Sequence, residues 1–187
     1  VRARGIPTDG YSTVNLLEDG LPIQHDPALG WLNADQSFRM DQTIKTLEVV
    51  RGGPSAVFTS NAPGGSVNYI TRKGDTGTEG ILRFEGGDFG HRRFDFYTGG
   101  AMGDWYAGVG GFHRSSNGVR DAGFKFNSGG QIRISLGRKL TRGSVDFSLK
   151  RVDDSVGFYL GTPFTFDASG DVKAVNGFDG KYGTLTG

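Results

Sequence analysis

The chain has no cysteine, only two methionines and six prolines in 187 residues. Without cysteine there is no disulfide framework, which says little about compartment. No apolar run approaches the roughly 18–20 residues of a membrane helix. A helical span is therefore excluded, but a membrane β-barrel is not, because its strands alternate and look only weakly hydrophobic. Charge of one sign is also lacking: 21 Lys and Arg stand against 20 Asp and Glu. That balance gives no electrostatic case for nucleic acid. The three histidines, His25, His91 and His113, are too scattered for a metal centre, and no carboxylate spacing completes one. No Ser/His/Asp set and no pair of catalytic carboxylates stands out. Glu18-Asp19 near Asp9 mimics such a pair, but Asp19-Gly20 reads as a turn. Catalytic and metal-binding residues are thus expected to be absent, and no cofactor is called for. The start on Val1, with no signal peptide, suggests an internal fragment.

What the chain has in quantity is glycine, 33 residues, with 12% aromatics. That mixture suits a β-rich protein with crowded corners. The stretch Leu47–Gly74 organises the rest. Two β-prone runs, Leu47–Val50 and Val67–Ile70, flank two punctuations, Gly52-Gly53-Pro54 and Pro63-Gly64-Gly65. Pro54 fits the first turn of a helix, where a missing N–H costs nothing, so Ser55–Phe58 is expected to form one helical turn. Gly64 and Gly65 allow backbone angles closed to other residues. There is no Gly-Lys-Ser/Thr and no GxGxxG opening a long helix, so a phosphate cradle is not indicated.

Upstream, Val1–Ile6 and Ser12–Leu17 read as strands, the second closed by Glu18-Asp19-Gly20 and Pro22. Residues 23–37 are rich in Asp, Gln, Asn, Pro and Gly and read as a loop. Met40–Thr46 suggests a short helix leading into the Leu47 strand. Downstream of Gly74 the period changes to two, which puts neighbouring side chains on opposite faces. Leu82 and Phe84 alternate with Arg83 and Glu85. Phe94 and Phe96 alternate with Arg93, Asp95 and Tyr97. Ile132, Ile134 and Leu136 alternate with Gln131, Arg133 and Ser135, and Val145, Phe147 and Leu149 with Asp146, Ser148 and Lys150. Short turns fall at 102–104 and 139–143, and longer loops at 115–122 and from about 155. About five strands are expected.

Alternation alone leaves two architectures open: a soluble sandwich, or a membrane barrel with one face in lipid and one toward its lumen. The charges Arg83, Glu85, Arg93, Asp95, Arg133, Asp146 and Lys150 are too dense for a dry core.

The central stretch resembles the plug domain of TonB-dependent outer-membrane receptors. The matching positions are Glu48, Arg51-Gly52, Pro54-Ser55, Phe58, Ala62, Gly64-Gly65, Val67-Asn68 and Thr71-Arg72-Lys73. Ala3-Arg4-Gly5-Ile6 and Asp19-Gly20-Leu21-Pro22 fit earlier plug strands. Two departures are an extra Gly53 and Phe58-Thr59 in place of the more usual Tyr-Gly.

The resemblance implies an α+β plug over 1–74, a small mixed sheet with short helices. Antiparallel strands of an incomplete transmembrane β-barrel would follow over 75–187, with a long outer loop from about 155. It implies that Arg4 and Arg51, with Glu48, lock the plug to glutamates and other groups on barrel strands. Gly5, Gly52, Pro54, Gly64, Gly65 and Asn68 would shape the motif. Asp9, Tyr11, Gln24, His25 and Trp31 would sit at the ligand-facing apex.

The implied function is TonB-dependent uptake of a siderophore or carbohydrate across the bacterial outer membrane, with no chemistry done on the ligand. The implied partners are TonB, through a box preceding Val1, a small nutrient ligand, and outer-membrane lipid. The rival reading is a soluble β-rich carbohydrate-binding or adhesion module, which leaves the Leu47–Gly74 pattern as coincidence.

Overall fold

The computed structural model describes residues 2–3, 6–7, 14–23, 38–51, 64–119, 123–157 and 164–175. A short antiparallel pair, β1 (Arg2–Ala3) and β2 (Ile6–Pro7), opens the chain. A four-stranded mixed sheet follows. It is built from β3 (Val14–Glu18), β4 (Leu21–Pro22), β5 (Ile44–Arg51) and β6 (Gly65–Thr71), in the order β4-β3-β6-β5. β3 and β6 run parallel, and the other pairs are antiparallel.

A five-stranded antiparallel sheet then runs in simple sequence order: β7 (Glu79–Gly87), β8 (His91–Met102), β9 (Trp105–Ser116), β10 (Asn127–Leu140) and β11 (Gly143–Val156). A small hairpin, β12 (Phe164–Phe166) with β13 (Val172–Ala174), ends the described chain.

The later strand expectations hold, five long strands included, and the small mixed sheet is present, but the strand expected over Val1–Ile6 is instead the short antiparallel pair β1–β2. The helices do not follow. Among the described residues there is no helix. The expected turn at Ser55–Phe58 lies outside the described residues. The expected helix at Met40–Thr46 is instead a turn that leads into β5. The reason is Asp41. Its carboxylate accepts from the Thr43 backbone N–H at 2.8 Å and from the Thr43 hydroxyl at 2.5 Å. Such a side-chain bond competes with a helical ladder, and Thr43 and Ile44 are β-branched and favour the extended form. The stretch from about 155, expected to be loop, also carries strand: β11 runs on to Val156, and β12–β13 forms within it.

Two backbone devices hold the mixed sheet in register. Gly65 has φ +133°, and a Cβ there would lie 2.5 Å from the Val50 carbonyl oxygen. The second glycine of the motif is thus required by close approach of β5. Asn68 bridges the sheet: its Oδ1 accepts from Gly20 N–H at 2.9 Å, and its Nδ2 donates to Glu48 Oε2 at 3.1 Å. Asp19, at φ 50°, turns the chain and accepts from Thr71 N–H and Oγ1 at 2.9 and 2.6 Å.

The long sheet is inverted relative to a water-soluble protein. Leu82, Phe84, Ile132, Ile134, Leu136, Val145, Phe147 and Leu149 project from one face and are all at least 44% exposed. The other face buries polar groups: Asp95 is 1% exposed, Arg133 4%, Gln131 6% and Ser135 7%. An exposed apolar patch of this size on soluble protein is rare. β8 joins β9, and β10 joins β11, through two-residue turns (103–104 and 141–142) at one end of the sheet. The chain enters β7 at that same end, since Lys139 Nζ bonds the Asp75 carbonyl at 3.4 Å. At the opposite end β9 and β10 are separated by residues 117–126.

Gly74 marks the junction of the two sheets. Its φ is +82°, and a Cβ would fall 2.1 Å from the Ala107 carbonyl oxygen and 2.8 Å from Gly100 N. Gly74→Ala is expected to cost about 2 kcal/mol or more through strain and overlap. Denaturant unfolding of the complete protein in detergent measures it.

Candidate functional site: a latch between the two sheets

The polar face of the long sheet is covered by the small one, and side chains cross between them at three places. At the first, Glu18 ends β3 and points at β10 and β11. Its Oε1 lies 2.7 Å from Arg133 Nη2, a close charge contact, and its Oε2 accepts from Lys150 Nζ at 2.7 Å. Lys150 also sits 5.5 Å from the Phe38 ring centre, and Phe38 stacks on Tyr69 of β6 at 4.2 Å.

Burial pushes the Glu18 carboxyl up. The hydrogen bonds and charges of Arg133 and Lys150 outweigh this and hold it below the ordinary 4.5. A group depressed on folding contributes stability that is present above its unfolded value and lost as pH falls through the folded one. The contact between the sheets at β3 is therefore expected to loosen below pH 4.5. Hydrogen exchange at Leu17 in the complete protein checks this, and a Glu18→Gln variant should lose the pH response.

At the second place the segment 38–43 lies against β8 to β11. Arg39 pairs with Asp154 through its Nε. The same carboxylate accepts from Arg114 Nε at 3.0 Å and Nη2 at 2.6 Å. Asp154 is 0% exposed in its side chain. Gln131 Nε2 donates to Asp41 Oδ2 at 2.7 Å. Arg93 donates to the Met40 carbonyl at 2.7 Å and forks onto Asp95 at 2.8 and 2.7 Å. Phe112 packs beneath the guanidinium of Arg93, 4.2 Å from ring centre to Cζ. Fixed, paired guanidinium groups of this kind are directional and costly to orphan.

At the third place the connection 72–75 runs along the wall. Arg72 Nη1 donates to Glu79 at 2.5 Å and its backbone N–H to the Thr43 carbonyl at 2.7 Å. Lys73 lies 3.4 Å from Asp146, which also accepts from Tyr106 OH at 2.6 Å. Ser135 Oγ reaches the Lys73 carbonyl at 3.4 Å.

The residues expected from the sequence stand differently. Arg4, Gly5, Asp9, Tyr11, Gln24, His25, Trp31, Gly52 and Pro54 lie outside the described residues. Glu48 and Arg51 are exposed on β5, an edge of the small sheet. Glu48 bonds Asn68 within that sheet rather than the long one.

The bonds that do join the sheets were not foreseen as such. Glu18 read as part of a turn, Arg39 adjoined an expected loop, and Asp41 fell within an expected helix. The signal was present in the cations Arg133, flanked by Ile132 and Ile134 of the opposite face, and Lys150, which follows Leu149 of that face. Inward charges of that kind require partners on whatever fills the space. Among the described residues no three His, Cys, Asp or Glu cluster as metal ligands.

Comparison with known proteins agrees with this geometry. Residues 1–66 match the family model described as TonB-dependent Receptor Plug Domain. No curated protein matches the chain. Among solved structures, the pyoverdine outer membrane receptor FpvA of Pseudomonas aeruginosa PAO1 aligns with TM-score 0.66 at 18% identity, over 90% of this chain and 25% of that one. The siderophore receptor PirA of Pseudomonas aeruginosa aligns with TM-score 0.56 at 21% identity, over 79% and 26%. The ferric yersiniabactin uptake receptor FyuA of Yersinia pestis aligns with TM-score 0.57 at 16% identity, over 73% and 22%. The chain thus spans about a quarter of the length of these receptors. Residues 1–66 are thus similar to the TonB-dependent receptor plug domain, and the fold of the chain is similar to part of these outer-membrane receptors.

Proposed function

We propose that the chain belongs to a receptor that takes up a scarce nutrient across the bacterial outer membrane, energised through TonB. The observation that carries this is the inverted long sheet: apolar outside, charged inside, with the plug bonded to the charged face. Water cannot satisfy backbone groups inside a bilayer, so a β-protein spans one only as a closed barrel. Residues 1–74 serve as plug and 75–187 as wall. The two-residue turns face the periplasm and the longer connections face outward, the usual asymmetry of such barrels.

Ligand binds from outside, TonB pulls on the plug from within, and the plug moves to open a path. No bond of the ligand is made or broken, so the protein is not an enzyme. Arg4, Arg51 and Glu48 are retained as locks toward strands of the completed barrel. Asp9, Tyr11, Gln24, His25 and Trp31 are retained as the apex.

Siderophore-bound iron is the first choice of cargo, supported by the ligands named for the similar receptors. Carbohydrate is a second reading, favoured by Phe164 and Phe166. They stand 5.5 Å apart edge to face on the outward hairpin, 55% and 63% exposed, as a sugar-stacking pair would. Growth of a deletion strain in iron-limited medium and on candidate oligosaccharides tests the choice. A defect confined to iron limitation supports siderophore uptake, and an iron-independent defect on one sugar removes it.

Five strands do not close, and about 22 are needed in plugged transporters. Among the described residues β7 and β11 therefore keep unpaired edges. Expressed alone, the chain is expected to aggregate or to require detergent. A monodisperse, water-soluble monomer on size-exclusion chromatography would count against the barrel.

A further inference from the structure

A hollow of about 690 Å³ opens where the apolar face of the long sheet meets its loop end. Phe84 and Phe94 form its floor, their rings tilted by 32° with centres 4.9 Å apart. Phe84 is 75% exposed, among the most exposed apolar side chains of the sheet. Arg92 and Ser115 are paired across β8 and β9, one step nearer the loop end on that same face, and His113 pairs with Phe94. Lys125 reaches in from the loop, where its Nζ donates to Asn117 at 2.7 Å.

Arg92, His113 and Lys125 form no ion pair among the described residues, whereas the inward cations Arg93, Arg114 and Arg133 are all paired. The carboxylate at the hollow's inner wall, Glu85, is already held by Arg83 at 2.6 Å. The hollow therefore sets cations without an ion pair among the described residues beside the exposed Phe84 ring and the half-buried Phe94 ring.

We propose that this hollow binds a membrane lipid whose headgroup exposes an anionic phosphate, with its acyl chains laid over Phe84 and Phe94. The inference rests on the barrel reading of the proposed function. Charge complementarity selects an anion, because two cations without an ion pair among the described residues and an imidazole line one hollow. The apolar floor selects a lipid over a free ion, because a soluble phosphate would leave the aromatic surface uncovered. Cations at a bilayer surface each strengthen attachment to anionic lipid, by about fivefold in affinity.

The test uses the complete receptor in nanodiscs of phosphatidylcholine doped with phosphatidic acid, with bound lipid read by native mass spectrometry. Expected is retention of phosphatidic acid over phosphatidylcholine, weakened about 25-fold in an Arg92→Ala, Lys125→Ala double variant, and unaffected by millimolar inorganic phosphate. An Arg92→Glu variant serves as a second probe on the same surface and should abolish the preference.

Equal retention of both lipids, or no loss in the variants, overturns the site. Full competition by inorganic phosphate overturns the lipid assignment in favour of a soluble anion. A complete receptor that stays in solution without nanodisc or detergent overturns the barrel reading and the site with it. One that inserts but shows no lipid preference overturns the site alone.

Discussion

Asp154→Ala in the complete protein is expected to release the 38–43 segment from the long sheet. The carboxylate is fully buried and shared between Arg39 of the plug and Arg114 of the wall. Alanine would take away the carboxylate that both guanidinium groups share. Breaking a buried pair by removing one partner costs roughly 3–5 kcal/mol. Both arginines keep some contact with solvent, at 12% and 19% exposure, which places the expectation near the lower end, about 3 kcal/mol. The readout is hydrogen exchange of plug amides around Thr43, which should rise while β8–β10 pairing stays protected. A double-mutant cycle with Arg39→Ala should show strong non-additivity, because both truncations act on the same ion pair. Additive losses would mean that Asp154 serves the wall alone.

On the barrel reading proposed above, Ile134→Arg is expected to stop the complete protein from assembling in the membrane. Ile134 lies on the apolar face between Val109 and Leu149, mid-sheet. Arginine at the midplane of a barrel's lipid face costs about 2–4 kcal/mol. The neighbouring Ser135 faces the plug and touches the Lys73 and Gly108 carbonyls. Ser135→Ala should insert normally, losing only weak hydrogen bonds of about 1 kcal/mol. Heat-modifiable migration on gels distinguishes folded from unfolded barrel for both. If Ile134→Arg folds as well as Ser135→Ala, the apolar face does not meet lipid.

These two experiments sit on opposite sides of what could be read from residues alone. The face assignment was legible because a strand has a strict period of two. Once Ile132, Ile134 and Leu136 share a side, Gln131, Arg133 and Ser135 must share the other. The plug motif was legible because Gly65 and Asn68 answer local demands, a φ of +133° and a cross-sheet clamp.

The latch was not legible, because most of its bonds join residues far apart in the chain. Glu18 and Lys150 are separated by 132 positions, and Arg39 and Asp154 by 115. No local pattern marks Glu18 as a partner for a strand so distant. Asp41 misled for a related reason: a helix-permissive stretch is turned by one carboxylate whose second oxygen is claimed by Gln131.

The same long separations bear on the order of assembly. β10 and β11 meet through a two-residue turn, as do β8 and β9, so these hairpins can zip as soon as their residues are made. The plug sheet needs its parallel β3–β6 partnership first, across some fifty intervening residues. Only then is Glu18 aimed toward cations that are synthesised more than a hundred residues later. Wall growth around a preformed stopper, or threading of the stopper into a finished ring, would leave different intermediates. The buried Asp154 carboxylate makes the second route costly, because Arg114 would wait beside it for Arg39 until the last step.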